Sequence, residues 1–137
     1  MVEYYRDRHW TDLPVAEIGA GGGWAYGLSY MTTEAARYYL PGFLLVALDH
    51  PDFNELKECI VSHLSDSKPS KYLTERDVVH LRECQEELLG GYTVTQLALI
   101  LGALEKLRQD SKEVSREFFD PAIEFMKRQI AQRTSAG

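Results

Sequence analysis

The sequence predicts an all-α fold, a single compact domain of about five helices around two highly apolar ones. Three observations carry this expectation. Apolar residues recur at helical spacing along most of the chain, and two stretches, Phe43 to Leu48 and Leu97 to Leu104, are apolar on nearly every side. Threonines stand ahead of the periodic stretches with an acidic or amide residue behind them, the pattern of helix caps. No segment alternates apolar and polar residues over a full strand length; Tyr26 to Met31 is the best strand candidate.

Residues 1–27 read as an irregular N-terminal segment of one domain spanning 1–137. Trp10 and Leu13 sit three apart, so a short helical turn can tuck both under the domain. Gly19, Gly21, Gly22, Gly23 and Gly27 make the next stretch a flexible connector. Gly19-Ala20-Gly21-Gly22-Gly23-Trp24 matches neither the dinucleotide fingerprint nor the phosphate-loop lysine pattern, and no basic residue follows it until Arg37. Thr32 or Thr33 then caps a helix with Glu34 in its first turn, where the macrodipole favours an anion. Pro41 lies inside that helix. It removes one backbone bond and crowds the preceding turn, so a kink or a restart is expected there, loosened by Gly42. Phe43 to Leu48 is the candidate central helix of the core.

Asp49-His50-Pro51-Asp52 punctuates the chain, and Phe53, Leu56, Ile60 and Leu64 follow at helical spacing. A polar linker covers residues 66–70. Thr74 with Asp77 caps a helix whose stripe is Val78, Leu81 and Leu88, ending at Gly90-Gly91. Thr93 with Gln96 forms a capping box that opens the second highly apolar helix, and Asp110-Ser111 stops it. Val114, Phe118, Ile123, Phe125, Met126 and Ile130 supply the last apolar face, interrupted by Asp120-Pro121. Residues 131–137 are expected to fray.

At 137 residues the chain can bury a sizeable core without disulfides or metals. Its 15 basic and 21 acidic residues give a formal net charge of -6. That balance disfavours nucleic acid or an anionic membrane as partner and permits a basic protein. Cys59 and Cys84 are too few for a disulfide scaffold, and the opening residues Met1 to Arg8 show no secretory pattern. The longest apolar run, Leu40 to Leu48, is far short of a membrane span. The cytoplasm is the expected compartment.

Residues 28–49 resemble a family of small, mostly bacterial proteins that carry a domain of unknown function. The block defining that family reads L-S-F-L-T/S-P-E-A-F-R-Y-Y-L-P-A-Y-L-L-A-A-L. Leu28, Ser29, Thr32, Glu34, Ala35, Arg37, Tyr38, Tyr39, Leu40, Pro41, Leu44, Leu45, Ala47 and Leu48 fit it. His9 to Pro14 is similar to the family's upstream Trp/Leu-Pro element, and Tyr92 to Gln96 to its later helix start; residues 66–90 fit less well. The chain departs from the block at Thr33, where the family often has proline, and at Gly42, where it often has alanine. The resemblance implies a helical fold and no established activity. By analogy with small bacterial proteins of this general kind, it implies an immunity partner for a secreted toxin.

Several residue groups offer chemistry. Cys59 with His63, and His80 with Cys84, each share a helix face at i, i+4, and two such helices side by side would present the donor set of structural zinc. The spacing matches no zinc motif, and each pair lies beside an apolar stripe, so core packing is the favoured reading and no metal is assigned. Neither cysteine has a glycine elbow or a helix N-terminus to activate it as a nucleophile. No catalytic residue and no cofactor are assigned. Asp49, Asp52 and Glu55 cluster at one helix start, with Glu58 one turn on. They complement the macrodipole and also form an acidic surface able to steer a basic partner. Tyr38 and Tyr39 are about 100° apart on the helix, so one enters the core while the other faces a surface groove. Arg37 is placed to pair with Glu34 or to join Tyr38 in a recognition patch.

The expected function is a non-catalytic protein-binding module, in its sharpest form an acidic immunity protein contacting its toxin through Asp49, Asp52, Glu55, Glu58, Arg37 and Tyr38. The alternative is a structural or adaptor protein, homodimeric through the apolar helices. A small zinc-dependent or thiol-dependent protein is the third.

Overall fold

Three threonines fix where the long helices begin. Thr32 Oγ1 accepts from the Ala35 amide at 3.2 Å. Thr74 and Asp77 exchange side-chain and backbone hydrogen bonds, as do Thr93 and Gln96. Each pairing satisfies amides that the first turn leaves without intrahelical partners. In the computed structural model these caps head α2 (Thr33–Asp49), α4 (Glu75–Gly90) and α5 (Val94–Asp110). Residues 13–19, 27–66 and 71–136 are described. Among them the remaining α-helices are α1 (Val15–Gly19), α3 (Asn54–His63) and α6 (Asp120–Ala136), with 3₁₀ segments at Gly27–Tyr30 and Glu113–Phe119. The molecule is an all-α single domain, and no strand occurs among the described residues. None of these helices alone is long and apolar enough to cross a membrane.

The central helix is α2, which packs against α3, α4 and α5. Phe43 and Ala47 are fully enclosed and Leu40 is nearly so. The second layer is α5 against α6, joined by Leu97, Leu104 and Leu107 from one and Ala122 and Met126 from the other, all buried. Leu56, Ile60 and Leu64 of the α3 region close the core from the other side. Burying each of the leucine, isoleucine, phenylalanine and methionine side chains among these stabilises the fold by about 1.5–3 kcal/mol before entropy is counted.

Helix α2 runs through Pro41 without a restart. Proline has no amide hydrogen to give the carbonyl four residues back, so the Arg37 carbonyl loses its helical partner. The Tyr92 hydroxyl replaces it, donating to Arg37 O at 2.5 Å. Tyr92 is buried, and desolvation pushes its pKa well above the ordinary tyrosine range, with the Arg37 charge opposing. The hydroxyl is therefore a permanent donor at any ordinary pH.

The sequence expectations need correction in several places. The strand expected over Tyr26 to Met31 does not form in its described part, 27–31: Gly27–Tyr30 is a single 3₁₀ turn that buries Leu28 and exposes Ser29, and Tyr26 lies outside the described residues. The segment 1–27 is not wholly irregular, since α1 forms at Val15–Gly19 and buries Ile18. Asp120-Pro121 opens α6, at a position where the missing proline amide costs nothing. The last helix continues to Ala136, so Arg133 is helical; it donates to the carbonyls of Tyr92 and Leu89, each at 2.5 Å. Trp10 and most of the glycine cluster, at residues 20–23, lie outside the described residues.

Helix α5 is not enclosed on all sides. Leu97, Ile100, Leu104 and Leu107 form a buried stripe at ordinary helical spacing. The surplus apolar residues of that helix therefore face outward, and Leu99 is 71% exposed.

Candidate functional site

Between α2 and α5 runs a groove of about 560 Å³. The two helices lie side by side with their N-terminal ends together, because Tyr92, ahead of α5, is bonded to Arg37 in the first turns of α2. Pro41, Leu44, Leu45 and Leu48 form one wall; Leu99, Ile100, Gly102 and Ala103 form the other. Leu45 is 48% exposed and stands opposite the far more exposed Leu99. Gly102 keeps the α5 wall low, since a Cβ there would meet nothing within 4 Å. Polar atoms enter at the ends, from Tyr92 and Gln96 at one and Lys106 at the other, and Lys106 is paired with Asp110 at 3.1 Å. Leu45 and Leu99 thus leave apolar surface exposed beside one groove.

Of the expected acidic residues, Asp49 lies just beyond this groove. Asp49 follows Leu45 at i+4 on α2, so it continues the same helix face. Asp49, Asp52, Glu55 and Glu58 are all exposed, and Glu55 and Glu58 share a face of α3. Asp52 has a second role. Buried Lys57 donates from Nζ to the Pro51 carbonyl at 2.5 Å, and Nζ stands 6.0 Å from the Phe119 ring centre. Burial lowers the Lys57 pKa, and the Asp52 charge pulls it back up.

Tyr38 and Tyr39 divide as the helix geometry demands. Tyr39 is buried, Tyr38 is 46% exposed, and their rings meet edge to face at 4.9 Å.

Arg37 is half-buried and engaged within the chain. Its Nε donates to Leu88 O at 3.0 Å and its Nη2 to Glu87 O at 2.5 Å, rather than to Glu34. The last turn of α4 contains no basic residue, and its final carbonyls have no partners within the helix. Arg37 supplies the missing cation from α2, and Arg133 supplies a second from α6 at Leu89 O. Gly91 leaves room for this arrangement: a Cβ there would lie 2.0 Å from Arg37 Nε. Sequence reasoning missed this role because the partners are about fifty positions apart in the chain.

The sulfur and imidazole groups form no metal-binding set among the described residues. Cys59 is buried with Sγ 3.9 Å from Ser29 Oγ, and desolvation raises its thiol pKa. Cys84 Sγ lies 3.8 Å from His80 Nε2 on α4, at the protein surface. His63 is largely shielded, and desolvation lowers its pKa. Among the described residues no three His, Cys, Asp or Glu side chains are placed to hold a metal ion.

Leu99 and Gly102 of the groove are apolar or small where a solvated helix face needs neither, but nothing local in the sequence told that they would face outward. No protein-family model, curated protein or solved structure matches the chain.

Proposed function

We propose that this chain is a non-catalytic protein-binding module working in the cytoplasm. Its docking surface is the α2–α5 groove, extended by the carboxylates from Asp49 to Glu58. The observation that carries this reading is the pair of exposed leucines, Leu45 and Leu99, facing each other across an apolar groove. The occupant that fits is an amphipathic helix of another protein. Its apolar face would fill the groove, and basic residues at one end would meet Asp49, Asp52, Glu55 and Glu58. In its sharpest form the partner is a cationic toxin domain and this chain is the immunity protein. That version adds to the surface only the analogy drawn from residues 28–49.

The test uses two variants with unchanged helical circular dichroism: Leu45→Glu with Leu99→Glu, and Asp49, Asp52, Glu55 and Glu58 all to Lys. Each is compared with the natural chain in capture of partner from the native host. Loss of the same captured protein in the leucine variant, and slower, less salt-sensitive capture in the lysine variant, support the reading. Full capture by the leucine variant refutes it. A mass that doubles at micromolar concentration in the natural chain, and not in the leucine variant, would replace it with self-association through the groove.

A further inference from the structure

Helix α4 lines up three reactive side chains. Asp77, His80 and Cys84 stand at i, i+3 and i+7, so they share one face. Cys84 Sγ lies 3.8 Å from His80 Nε2, in a contact at the protein surface. On the far side of the imidazole is Asp77, which accepts from the Thr74 amide at 3.0 Å. Hydrogen bonding to Thr74 holds the Asp77 carboxyl below the usual carboxylate range, and the nearby His80 pulls in the same direction. A thiol touching an imidazole, with a carboxylate behind it, is the arrangement in which the ring can take the thiol proton as sulfur attacks. Cys59 differs: it is enclosed beside the Ser29 hydroxyl, and desolvation keeps its thiol protonated.

Cys84 also lines a second cavity, of about 460 Å³, between the 3₁₀ turn Gly27–Tyr30 and helices α2, α3 and α4. That volume lies within the range of small-molecule sites. Gln85 braces it, donating from Nε2 to the carbonyls of His63 at 3.1 Å and Ser65 at 2.5 Å and so tying α4 to the end of α3. Met31, Leu73, Leu81 and Leu88 supply apolar wall. Leu81 and Cys84 are both partly exposed, so the cavity meets solvent at the edge where the thiol stands.

We propose that Cys84 is a site of covalent acylation, taking an apolar acyl chain from a soluble acyl thioester, with His80 as the base and the cavity as the seat of the chain. The Cys84 thiol gives its proton to His80 Nε2 and Sγ bonds to the acyl carbonyl carbon. The carbon–sulfur bond of the incoming thioester breaks, and the departing thiolate takes the proton from His80. One thioester replaces another, so no oxidant or reductant is consumed. Apolar wall beside a nucleophile selects an electrophile whose activated carbon adjoins hydrocarbon, and the polar remainder of the donor stays in solvent beyond Leu81. The proposal is independent of the groove between α2 and α5, since no described residue lines both.

The full chain is incubated with octanoyl-coenzyme A or acetyl-coenzyme A at neutral pH. Acylated peptides are located by mass spectrometry before and after hydroxylamine, which cleaves thioesters and leaves lysine amides. N-acetylcysteine at the same concentration gives the rate of an unassisted thiol for each donor. Octanoyl is expected on Cys84 and not on Cys59, forming about tenfold or more faster than on N-acetylcysteine. The same ratio for acetyl-coenzyme A should be smaller by about tenfold, because its short chain leaves the apolar wall uncovered. His80 is exposed, so His80→Gln leaves the core untouched and should slow octanoyl transfer by about tenfold or more. Octanoylation of Cys84 no faster than that of N-acetylcysteine would overturn the proposal. So would equal ratios for the two donors, or an unchanged rate in His80→Gln.

Discussion

Replacing Tyr92 by Phe removes one oxygen and keeps the ring that fills its buried site. The loss falls on the Arg37 carbonyl, which Pro41 has already deprived of its helical donor. A buried carbonyl left without a partner costs about 1–3 kcal/mol, more than the net worth of an ordinary hydrogen bond. For a chain of 137 residues, unfolding entropy near 2.1 cal/mol/K per residue converts each kcal/mol to about 3–4 °C in Tm. Tyr92→Phe is therefore expected to lower Tm by about 3–10 °C. The explanation makes a sharper demand in a second background. Pro41→Ala restores an amide four residues beyond Arg37, so the carbonyl regains its helical bond and needs Tyr92 less. The cost of Tyr92→Phe should fall by about 1–2 kcal/mol in that background. Urea unfolding followed by circular dichroism at 222 nm, on the natural chain, both single variants and the double, gives the coupling directly. Equal cost in the two backgrounds, within about 0.5 kcal/mol, would refute the idea that the hydroxyl stands in for the missing amide.

Gly91→Ala should evict the Arg37 guanidinium from the end of α4 and lower stability by about 1–3 kcal/mol, while Gly90→Ala, whose Cβ meets nothing within 4 Å, should not; urea midpoints distinguish them. Because burial lowers the His63 pKa, the unfolded chain takes up a proton that the folded chain refuses. Stability should consequently be intact above pH 6.5, the ordinary histidine value, and fall as the pH drops below it, with a shallower fall in His63→Gln, read as Tm between pH 7.5 and pH 5. Tyr92 gives the opposite limb: its raised folded pKa means stability is lost as pH rises past 10, the unfolded value, and Tyr92→Phe should flatten that loss. Iodoacetamide without added ligand should modify Cys84 well before Cys59, whose thiol is enclosed and held protonated by desolvation. Simultaneous labelling would mean that the core around α3 opens readily.

What the sequence revealed was what is local. Thr32, Thr74 and Thr93 act within four residues, so their caps were readable directly, and with them the order of the long helices. The buried stripe of α5 was also readable, because Leu97, Ile100, Leu104 and Leu107 repeat at helical spacing. Its exposed side was not, because periodicity tells which residues share a face and not how many neighbours a helix will have. Leu99 is apolar and outward only because α5 sits at the edge of the bundle. Arg37 looked like a recognition residue because a charge in an apolar helix invites that reading. Its partners within the chain are carbonyls of α4, and backbone carbonyls leave no trace in residue identity. The acidic stretch from Asp49 to Glu58 is exposed as expected, and the sequence placed it correctly beside the end of α2. Gln85 carried no signal at all: only the closing of α3 over α4 shows that its oxygen is unmatched.

The corner where α4 meets α5 is tied down by Arg37 from one direction and Arg133 from the other. During synthesis the second knot cannot be tied until α6 has left the ribosome as far as Arg133, long after α4 itself. Until then the Leu89 carbonyl keeps only its backbone donors, and the joint between α4 and α5 waits with one of its two arginine ties missing. A C-terminal truncation that looks cosmetic on paper, removing only the final turn or two, would leave the joint in that immature state permanently.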